Sequence, residues 1–271
     1  MEAHVPADIP LPSVTSADSF TAAFTATRQG EPVIVVTDLH KSFGSQLVLD
    51  GVSLTVHHGE TLCILGRSGT GKSVLLKTII ALLDPDQGRV TVLGRDLHEL
   101  PERERLVARK DLGYVFQGAA LFDSLTVCEN VGFSLYQHHR PADEIRARVI
   151  ESLEAVGLAH AIDKLPSELS GGMQKRAGLA RAIISRPRIV LYDEPTTGLD
   201  PLTTDTINDI ILSLQRSHGI TSIVVTHDVR SALTIGTRII LLERGKIVAG
   251  GTPDEMRANP DPLVRRFLGI D

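Results

Sequence analysis

A glycine-rich segment between two apolar runs constrains this chain more than any other part of it. The segment reads Gly66-Arg67-Ser68-Gly69-Thr70-Gly71-Lys72-Ser73. It fits the pattern G-x-x-x-x-G-K-[ST], in which backbone N–H groups surround phosphate oxygens and the glycines leave room and allow positive φ. The Lys72 ammonium suits β- and γ-phosphates, and the Ser73 hydroxyl suits Mg²⁺. The sequence therefore predicts a site for the phosphate chain of a nucleotide and its metal ion.

The neighbouring segments have the structure that such a loop requires. The apolar run at residues 61–65 predicts a buried strand before the loop, and residues 74–83 predict a helix after it. The positive end of the helix dipole then points at the anion. A flexible Gly/Ser loop without function is the alternative, and the complete match in a strand–helix context disfavours it.

Length and composition limit the classes of protein to consider. A chain of 271 residues with 42% hydrophobic side chains can form one large α/β domain or two small ones. A net charge of −5 without a long basic run disfavours nucleic-acid binding. Apolar runs stay below the roughly 20 residues that span a bilayer, and no signal-peptide pattern is visible. The only cysteines are Cys63 and Cys128, which we expect as reduced thiols in a cytosolic protein.

The first part of the chain predicts a leader and a β-rich layer. Residues 1–31 are rich in Ala, Ser, Thr and Pro and are predicted as a flexible N-terminal leader, in which a short helix around residues 18–27 is an open alternative. Short β-type runs at residues 33–36, 47–49, 52–56 and 89–93 predict an antiparallel layer beside the P-loop strand. Phe43 lies in a turn of this layer, where stacking on a base and packing in a local core are equally favoured.

Helical patterns dominate the middle of the chain. Residues 101–110 predict a helix, 112–116 a strand that ends at Gln117, and about 118–182 a helical insert in a parallel sheet. Ser170 is a predicted N-cap, and Gly171 and Gly172 offer a second anion-binding surface before the next helix. A two-fold dimer would place this surface against the P-loop of its partner. A serine-capped helix with a glycine-rich entrance is an equally favoured alternative.

Two further strands end in polar side chains. Residues 189–192 predict a buried strand followed by Asp193 and Glu194, and carboxylates at such strand ends lie where ligands bind in open α/β sheets. Asp193 suits Mg²⁺, and Glu194 can polarise water. Residues 220–225 predict a strand before His227, a candidate sensor of the γ-phosphate, although a lone histidine there more often has a structural role. The tail after residue 250 is predicted to be helical, with a small apolar face that we expect to pack across a dimer.

Together these motifs resemble the ATP-binding subunit of ABC transporters over about residues 33–250. In chain order they are the P-loop at 66–73, Gln117 of the Q-loop, Ser170-Gly171-Gly172 of the signature, Asp193-Glu194 of Walker B, Thr196-Thr197-Gly198-Leu199-Asp200 of the D-loop, and His227 of the switch. Six motifs in the family's order are far more specific than any one of them. The resemblance implies an α/β P-loop NTPase of ABC type, with a mixed parallel core sheet, an antiparallel β layer and a helical subdomain.

The resemblance also implies domain limits and site roles. The nucleotide-binding domain is expected at residues 32–250, with the helical subdomain at about 118–182 inserted, and the C-terminal helical tail at 251–271. Glu194 is the implied general base, His227 contacts the γ-phosphate, and Phe43 stacks on adenine. Gln117 joins Ser73 and Asp193 at Mg²⁺. The other implied ATP contacts are Gly66, Arg67, Ser68, Gly69, Thr70, Gly71, Lys72, Ser170, Gly171, Gly172 and Asp200.

Three stretches are similar to the lipid-trafficking branch, the ATPases of maintenance-of-lipid-asymmetry and mammalian-cell-entry (Mce) systems. They are residues 116–127, 168–173 and 259–268; in that branch Met173, where most of the superfamily carries Gln or Glu, is a regular feature. This implies a homodimer with two composite ATP sites that powers phospholipid transport between bacterial membranes. Its partners would be an integral-membrane permease, which holds it at the cytoplasmic face of the inner membrane, a lipid-binding periplasmic component and, in some members, a STAS-domain subunit. An ATPase for a polar solute or amino acid, and a non-transport ABC protein, are the alternatives.

Overall fold

The computed structural model describes residues 30–136 and 141–270. Most of the predicted leader, with its helix around residues 18–27, lies outside the described residues. The larger of two sheets consists of β3 (Thr61–Leu65), β6 (Leu112–Val115), β7 (Ile189–Asp193), β8 (Thr221–Thr226), β9 (Arg238–Glu243) and β10 (Lys246–Gly251). Its order is β10-β9-β3-β8-β7-β6, and every pair is parallel except β10 with β9. This sheet contains the strand that precedes the P-loop.

The smaller sheet is antiparallel throughout. It consists of β1 (Pro32–Phe43), β2 (Gln46–His57), β4 (Gln87–Val92) and β5 (Arg95–Asp96), in the order β2-β1-β4-β5. The predicted separate strands at 47–49 and 52–56 are one strand, because Gly51 with φ of +75° carries β2 through the position that interrupts the pattern. Phe43 is the last residue of β1 and pairs with Gln46 across the turn. The predicted mixed sheet with an antiparallel layer is confirmed.

Helices cover both faces of the larger sheet. They are α1 (Lys72–Ile79), α2 (Glu102–Ala108), α3 (Val127–Tyr136), α4 (Ala142–Ala155), α5 (Gly171–Ile183), α6 (Pro201–His218), α7 (Val229–Ile235), α8 (Pro253–Arg257) and α9 (Pro262–Leu268). The predicted helix over 74–83 was too long, because Ala81 takes a φ of +54° and α1 ends at Ile79. No helix within the described ranges has the length and apolar character needed to cross a membrane.

Two buried layers hold the larger sheet between them. In β3, Leu62 and Ile64 pack with the antiparallel sheet and α1, whereas Cys63 and Leu65 pack with the helices on the opposite face. A parallel strand buried on both faces is the expected result for a continuous apolar run. The loops after β3, β7 and β8 therefore meet at one edge of a rigid sheet.

The C-terminal tail packs on its own chain. Val264 of α9 is 1% exposed, and Phe267 and Leu268 contact the same buried layer as α3–α6. Val264 is therefore covered by its own chain and is not available to a dimer partner, whereas Leu263 is 39% exposed and Phe267 and Leu268 are partly buried, so their packing across a dimer stays a prediction. Cys63 and Cys128 are both buried free thiols, as predicted, and burial raises the pKa of each.

Candidate functional site

The P-loop joins β3 to α1, and its three glycines are required for different reasons. Gly69 and Gly71 have φ of +82° and +101°, as the sequence predicted. Gly66 does not have positive φ; a Cβ there would lie 2.6 Å from the carbonyl oxygen of Leu242. A Cβ on Gly71 would lie 2.8 Å from Leu49 Cδ2, whereas one on Gly69 meets no atom within 4 Å. The loop is thus fixed at both ends by packing and open at its centre.

Lys72 lies inside this loop with its ammonium held by oxygen atoms. The side chain is 5% exposed, and Nζ donates to the carbonyls of Gly66 at 2.7 Å and Arg67 at 2.9 Å. Nζ is also 3.3 Å from Oε1 of Glu194. A buried ammonium requires such partners, because removing its charge from water is otherwise costly. The structure therefore brings the predicted phosphate-binding lysine and the predicted general base into one ion pair.

Asp193 receives hydrogen bonds from both sides. Ser73 Oγ donates to Oδ1 at 2.6 Å, and the Tyr114 hydroxyl donates to Oδ2 at 3.1 Å. Burial, and secondly the charge of Asp193, raise the pKa of Tyr114, so its hydroxyl stays a donor at neutral pH. Ser73 and Asp193 present hard oxygen atoms of the kind that Mg²⁺ prefers. These residues fit a magnesium ion beside the P-loop.

Glu194 contacts both Lys72 of the P-loop and His227, which follows β8. It is a buried non-glycine residue with φ of +50°, and its N–H donates to the carbonyl of Val225 at 3.0 Å. Its Oε2 lies 2.8 Å from Nδ1 of His227 and accepts from Thr197 Oγ1 at 3.0 Å. Because β7 and β8 are adjacent and parallel, the residues that follow them meet at the same edge. Both carboxylate oxygens are engaged, one by Lys72 and one by His227.

Gln117 and Phe43 lie at the periphery of this cluster. Gln117 follows β6 and lines an open pocket together with Lys72, Ser73 and Glu194. The Phe43 ring is 47% exposed, and Lys41 Nζ lies 5.6 Å from its centroid. An exposed ring at a strand end is available for stacking. The roles assigned to Phe43 and Gln117 stay predictions.

The signature residues begin α5 rather than precede it. Ser170 is the N-cap and accepts from the Met173 N–H at 3.3 Å, as predicted, while Gly171 and Gly172 belong to the first turn of the helix. Ser170 and Gly171 are exposed. The pocket at the P-loop is lined by residues 48, 68, 69, 71–74, 117 and 194, without a contribution from residues 170–172. Their approach to a nucleotide held by a second copy stays a prediction.

Asp200 caps α6 at the end of the D-loop. Its carboxylate accepts from Thr203 Oγ1 at 2.5 Å and from the Thr203 N–H at 3.0 Å. These bonds, the side-chain one first, lower the pKa of Asp200. The D-loop residues Thr196, Thr197 and Gly198 line a second open pocket with His227. The D-loop thus leads directly from the Glu194 cluster to an exposed helix start.

Two residues of the site were missed by sequence reasoning. Tyr114 holds Asp193, and the available signal was a hydroxyl within the apolar strand that pairs with β7. Lys175 is 8% exposed and contacts the backbone carbonyls of Gln117 and Glu194. Burial, opposed by the charges of Glu194 and Asp193, lowers the pKa of Lys175. A lysine in an amphipathic helix is normally solvated, so only the packing of the helix reveals this one.

Curated relatives match most of the chain. The ribonucleotide transport ATP-binding protein Mkl of Mycobacterium bovis, whose function is named as probable, is 40% identical over 247 residues, covering 90% of this chain and 69% of Mkl. TRIGALACTOSYLDIACYLGLYCEROL 3 of Arabidopsis thaliana is 40% identical over 252 residues, covering 87% of this chain and 73% of its own. The spermidine/putrescine import protein PotA of Haemophilus influenzae is 38% identical, covering 89% of this chain and 64% of PotA.

Solved structures share the fold. CbiO1 of Clostridium perfringens, part of the ABC transporter complex CbiONQ, aligns with a TM-score of 0.78 and 29% identity over 86% of this chain and 92% of CbiO1. The ATP-binding cassette MJ0796, in a dimeric post-hydrolysis state bound to ADP and Pi, aligns with a TM-score of 0.75 and 34% identity over 81% of this chain and 98% of its own. The sequence profile described as "ABC transporter" matches residues 49–197. The chain therefore belongs to the ABC transporter family and is an ATP-binding, ATP-hydrolysing member of it.

Proposed function

We propose that this chain is the ATP-hydrolysing subunit of a transporter that moves phospholipid between bacterial membranes. One observation carries the catalytic part. Lys72 and Ser73, at the start of α1, lie within hydrogen-bonding distance of Glu194 and Asp193, respectively, at the end of β7, and Lys72, Ser73 and Glu194 line one open pocket. A phosphate-binding lysine beside two carboxylates with different partners is the arrangement that phosphoryl transfer to water requires.

The Lys72–Glu194 pair explains how nucleotide binding prepares the reaction. When phosphate oxygens enter the loop, they compete with Glu194 for the ammonium of Lys72, because both are anions and Nζ has three donors. Glu194 then keeps its contacts to His227 and Thr197 on the other oxygen, so its position is retained while Oε1 becomes available. That oxygen orients the attacking water and takes its proton. His227, half exposed beside Glu194, contacts the γ-phosphate.

Ser73, Asp193 and Gln117 are the residues that would hold Mg²⁺. The bound ion would neutralise charge that develops on the phosphate oxygens. In the present arrangement Ser73 donates to Asp193, and Tyr114 fixes the second oxygen of the same carboxylate. The carboxylate is therefore already oriented toward the P-loop before any ligand arrives, which reduces the cost of ordering it.

A dimer completes the site in this proposal. Ser170 and Gly171 are exposed at the N-terminus of the 13-residue helix α5 and face no nucleotide of their own chain. Backbone N–H groups at such a position attract anions. Leu202, 81% exposed directly after the Asp200 cap, is an apolar side chain of the same surface that a second copy would cover. Two copies would thus enclose two ATP molecules.

The phospholipid cargo rests on sequence similarity, and the docking of a permease rests on exposed aromatic side chains near Gln117. Residues 116–127, 168–173 and 259–268 resemble the lipid-trafficking branch, and one relative is named for the galactolipid trigalactosyldiacylglycerol. We define the aromatic surface as Phe116, Phe122, Phe133 and Tyr136, which are 36–45% exposed, with the rings of Phe122 and Phe133 4.7 Å apart. Exposed aromatic groups next to Gln117 suit docking of a permease at the cytoplasmic face of the inner membrane.

A second candidate cargo is a polar solute. Two of the relatives are named for ribonucleotide and for spermidine/putrescine transport, and the residues of the ATP site do not contact cargo. The permease, with its receptor, distinguishes the two candidates. A phospholipid system also implies a lipid-binding periplasmic component and, in some members, a STAS-domain subunit.

The catalytic part is tested by Glu194→Gln. This change keeps the size of the side chain but removes the base, so hydrolysis is expected to fall by about 10²–10⁴-fold while nucleotide still binds. Steady-state phosphate release and binding of a fluorescent ATP analogue measure the two effects. Glu151→Gln, at an exposed ion pair with Arg186, is the matched control. Unchanged turnover in Glu194→Gln would remove the general-base assignment.

The cargo is tested by purifying the tagged chain from its native membrane in mild detergent and identifying its partners by mass spectrometry. A permease with a lipid-binding periplasmic protein is the expected result, and a permease with a polar-solute receptor would overturn the cargo. Phe122→Ser is expected to lose the permease, whereas Leu47→Ser, an equally exposed apolar position on β2, is expected to keep it. Absence of any membrane partner would overturn the transport role.

A further inference from the structure

Lys175 is a buried cation that the catalytic proposal does not use. It lies on α5 and is 8% exposed. Its Nζ donates to the backbone carbonyl of Gln117 and lies 3.4 Å from that of Glu194. A buried ammonium that is hydrogen-bonded only to main-chain carbonyls is uncommon, since lysine is rarely buried without a carboxylate partner. The two carbonyls belong to the two motifs that converge on the Lys72 pocket.

The same face of α5 holds the segment that follows Gln117. Arg181, less than two turns farther along, donates to the carbonyls of Ala119 and Ala120, each at 2.7 Å. Between the two cations, a Cβ on Gly178 would lie 3.3 Å from Ala119. Ala119 and Ala120 have φ of +59° and +50°. Such conformations persist only where the surroundings stabilise them, and here α5 does so.

Lys175 differs from Arg181 in one respect: it alone also reaches Glu194. Glu194 has φ of +50°, and its backbone is held by its N–H bond to Val225 and, at its carbonyl, by the Thr197 N–H at 3.3 Å and by Lys175. We propose that Lys175 is a positioning residue for hydrolysis, which holds the backbones of Gln117 and Glu194 so that both side chains face the Lys72 pocket. This inference rests on the proposed role of Glu194 as general base.

The test compares Lys175→Met with Arg181→Met. Both changes remove a cation that binds backbone carbonyls between Gln117 and Ala120, but only the first removes a contact to Glu194. Lys175→Met is expected to lower kcat by about 10-fold or more and to change the Kd for a fluorescent ATP analogue by less than about twofold, because displacement of a catalytic group affects mainly the chemical step. Arg181→Met is expected to keep kcat within about threefold of that of the unmodified chain, even where it lowers Tm by as much as Lys175→Met does.

A conservative variant separates positioning from folding. Lys175→Gln keeps an N–H donor and is expected to give a kcat between those of Lys175→Met and the unmodified chain. If Lys175→Met does not fold, the proposal is supported when Lys175→Gln reduces kcat at least about threefold while the Kd for the ATP analogue stays unchanged. Unchanged kcat in Lys175→Met overturns it, as does unchanged kcat in Lys175→Gln where Lys175→Met does not fold. So does a parallel loss of kcat and Tm in the Lys175 and Arg181 variants. An active Glu194→Gln variant would instead overturn the general-base role itself, so the two failures are distinguishable.

Discussion

At the scale of single residues, the site is built from groups whose partners are already in place. Glu194 has one oxygen with Lys72 and the other with His227, and Asp193 has one oxygen with Ser73 and the other with Tyr114. At each carboxylate one oxygen has a predicted ligand contact as its partner, Lys72 or Ser73, and the other has a partner with no predicted ligand role, Thr197 (beside His227) or Tyr114. We expect the second kind of contact to orient the carboxylate while the first is exchanged for nucleotide or metal ion.

Tyr114→Phe tests this division at Asp193. The change removes only the hydroxyl that donates to Oδ2, so it is expected to cost about 1 kcal/mol in the orientation of the carboxylate, or about a fivefold higher Mg²⁺ concentration for half-maximal hydrolysis. Nucleotide binding measured without Mg²⁺ should not change. Tyr192→Phe is the control, since it removes a buried hydroxyl that lies near Ser222 of β8 rather than beside the carboxylate of Asp193. Equal Mg²⁺ requirements for the Tyr114 variant and the unmodified chain would contradict the role.

At the scale of elements, the position of the signature helix depends on a close approach between α5 and α6. A Cβ on Gly172 would lie 2.4 Å from Cγ2 of Thr203, whose hydroxyl is fixed by its bond to Asp200. Only a glycine lets the first turn of α5 lie this close to α6. The contact joins the signature to the D-loop cap within one chain, so close packing fixes the spacing between these two parts of the proposed dimer surface.

Gly172→Ala is therefore expected to destabilise the fold. The steric conflict should cost about 1–3 kcal/mol, more than the roughly 0.5–1 kcal/mol that alanine gains over glycine within a helix. Thr203→Ser removes Cγ2 but keeps the hydroxyl that binds Asp200. Gly172→Ala combined with Thr203→Ser should then be at least as stable as Thr203→Ser alone. Thermal unfolding of the unmodified chain, the two single variants and the double variant checks this. A double variant that is no more stable than Gly172→Ala would show that the clash lies elsewhere.

The bounds of the helices and strands also show what sequence patterns can and cannot predict. Strands β3, β7 and β8 were located within one residue because each is a continuous apolar run bounded by polar residues. The end of α1 was not located correctly, because it depends on Arg109, which binds the carbonyls of Ile80 and Ala81 from 29 and 28 residues away in sequence. Contacts of this kind, like those of Lys175, depend on tertiary packing, which overrides local propensity.

At the scale of the whole molecule, the proposed dimer implies that one chain holds only half of each complete ATP site. The P-loop pocket is open, and Ser170 and Gly171 are exposed outside it. A net charge of −5 makes contact between two copies unfavourable without a ligand that attracts both surfaces. ATP, bound by one P-loop and reaching the N-terminus of the partner's α5, supplies that attraction. Dimer formation should therefore require ATP and should be reversed by hydrolysis.

Ser170→Asp tests this requirement with the helix cap preserved. Aspartate keeps an acceptor for the Met173 N–H, as serine does now, but places a negative charge where the partner's γ-phosphate is expected. In the Glu194→Gln background, light scattering should show a dimer with Mg-ATP, and the added Ser170→Asp change should leave a monomer whose ATP Kd is within about twofold of its parent. Ser167→Asp, an exposed serine one turn earlier, adds the same charge and should still dimerise. A stable dimer of the Ser170→Asp protein would mean that α5 does not approach the second nucleotide, because salt screens the repulsion between two buried like charges only weakly.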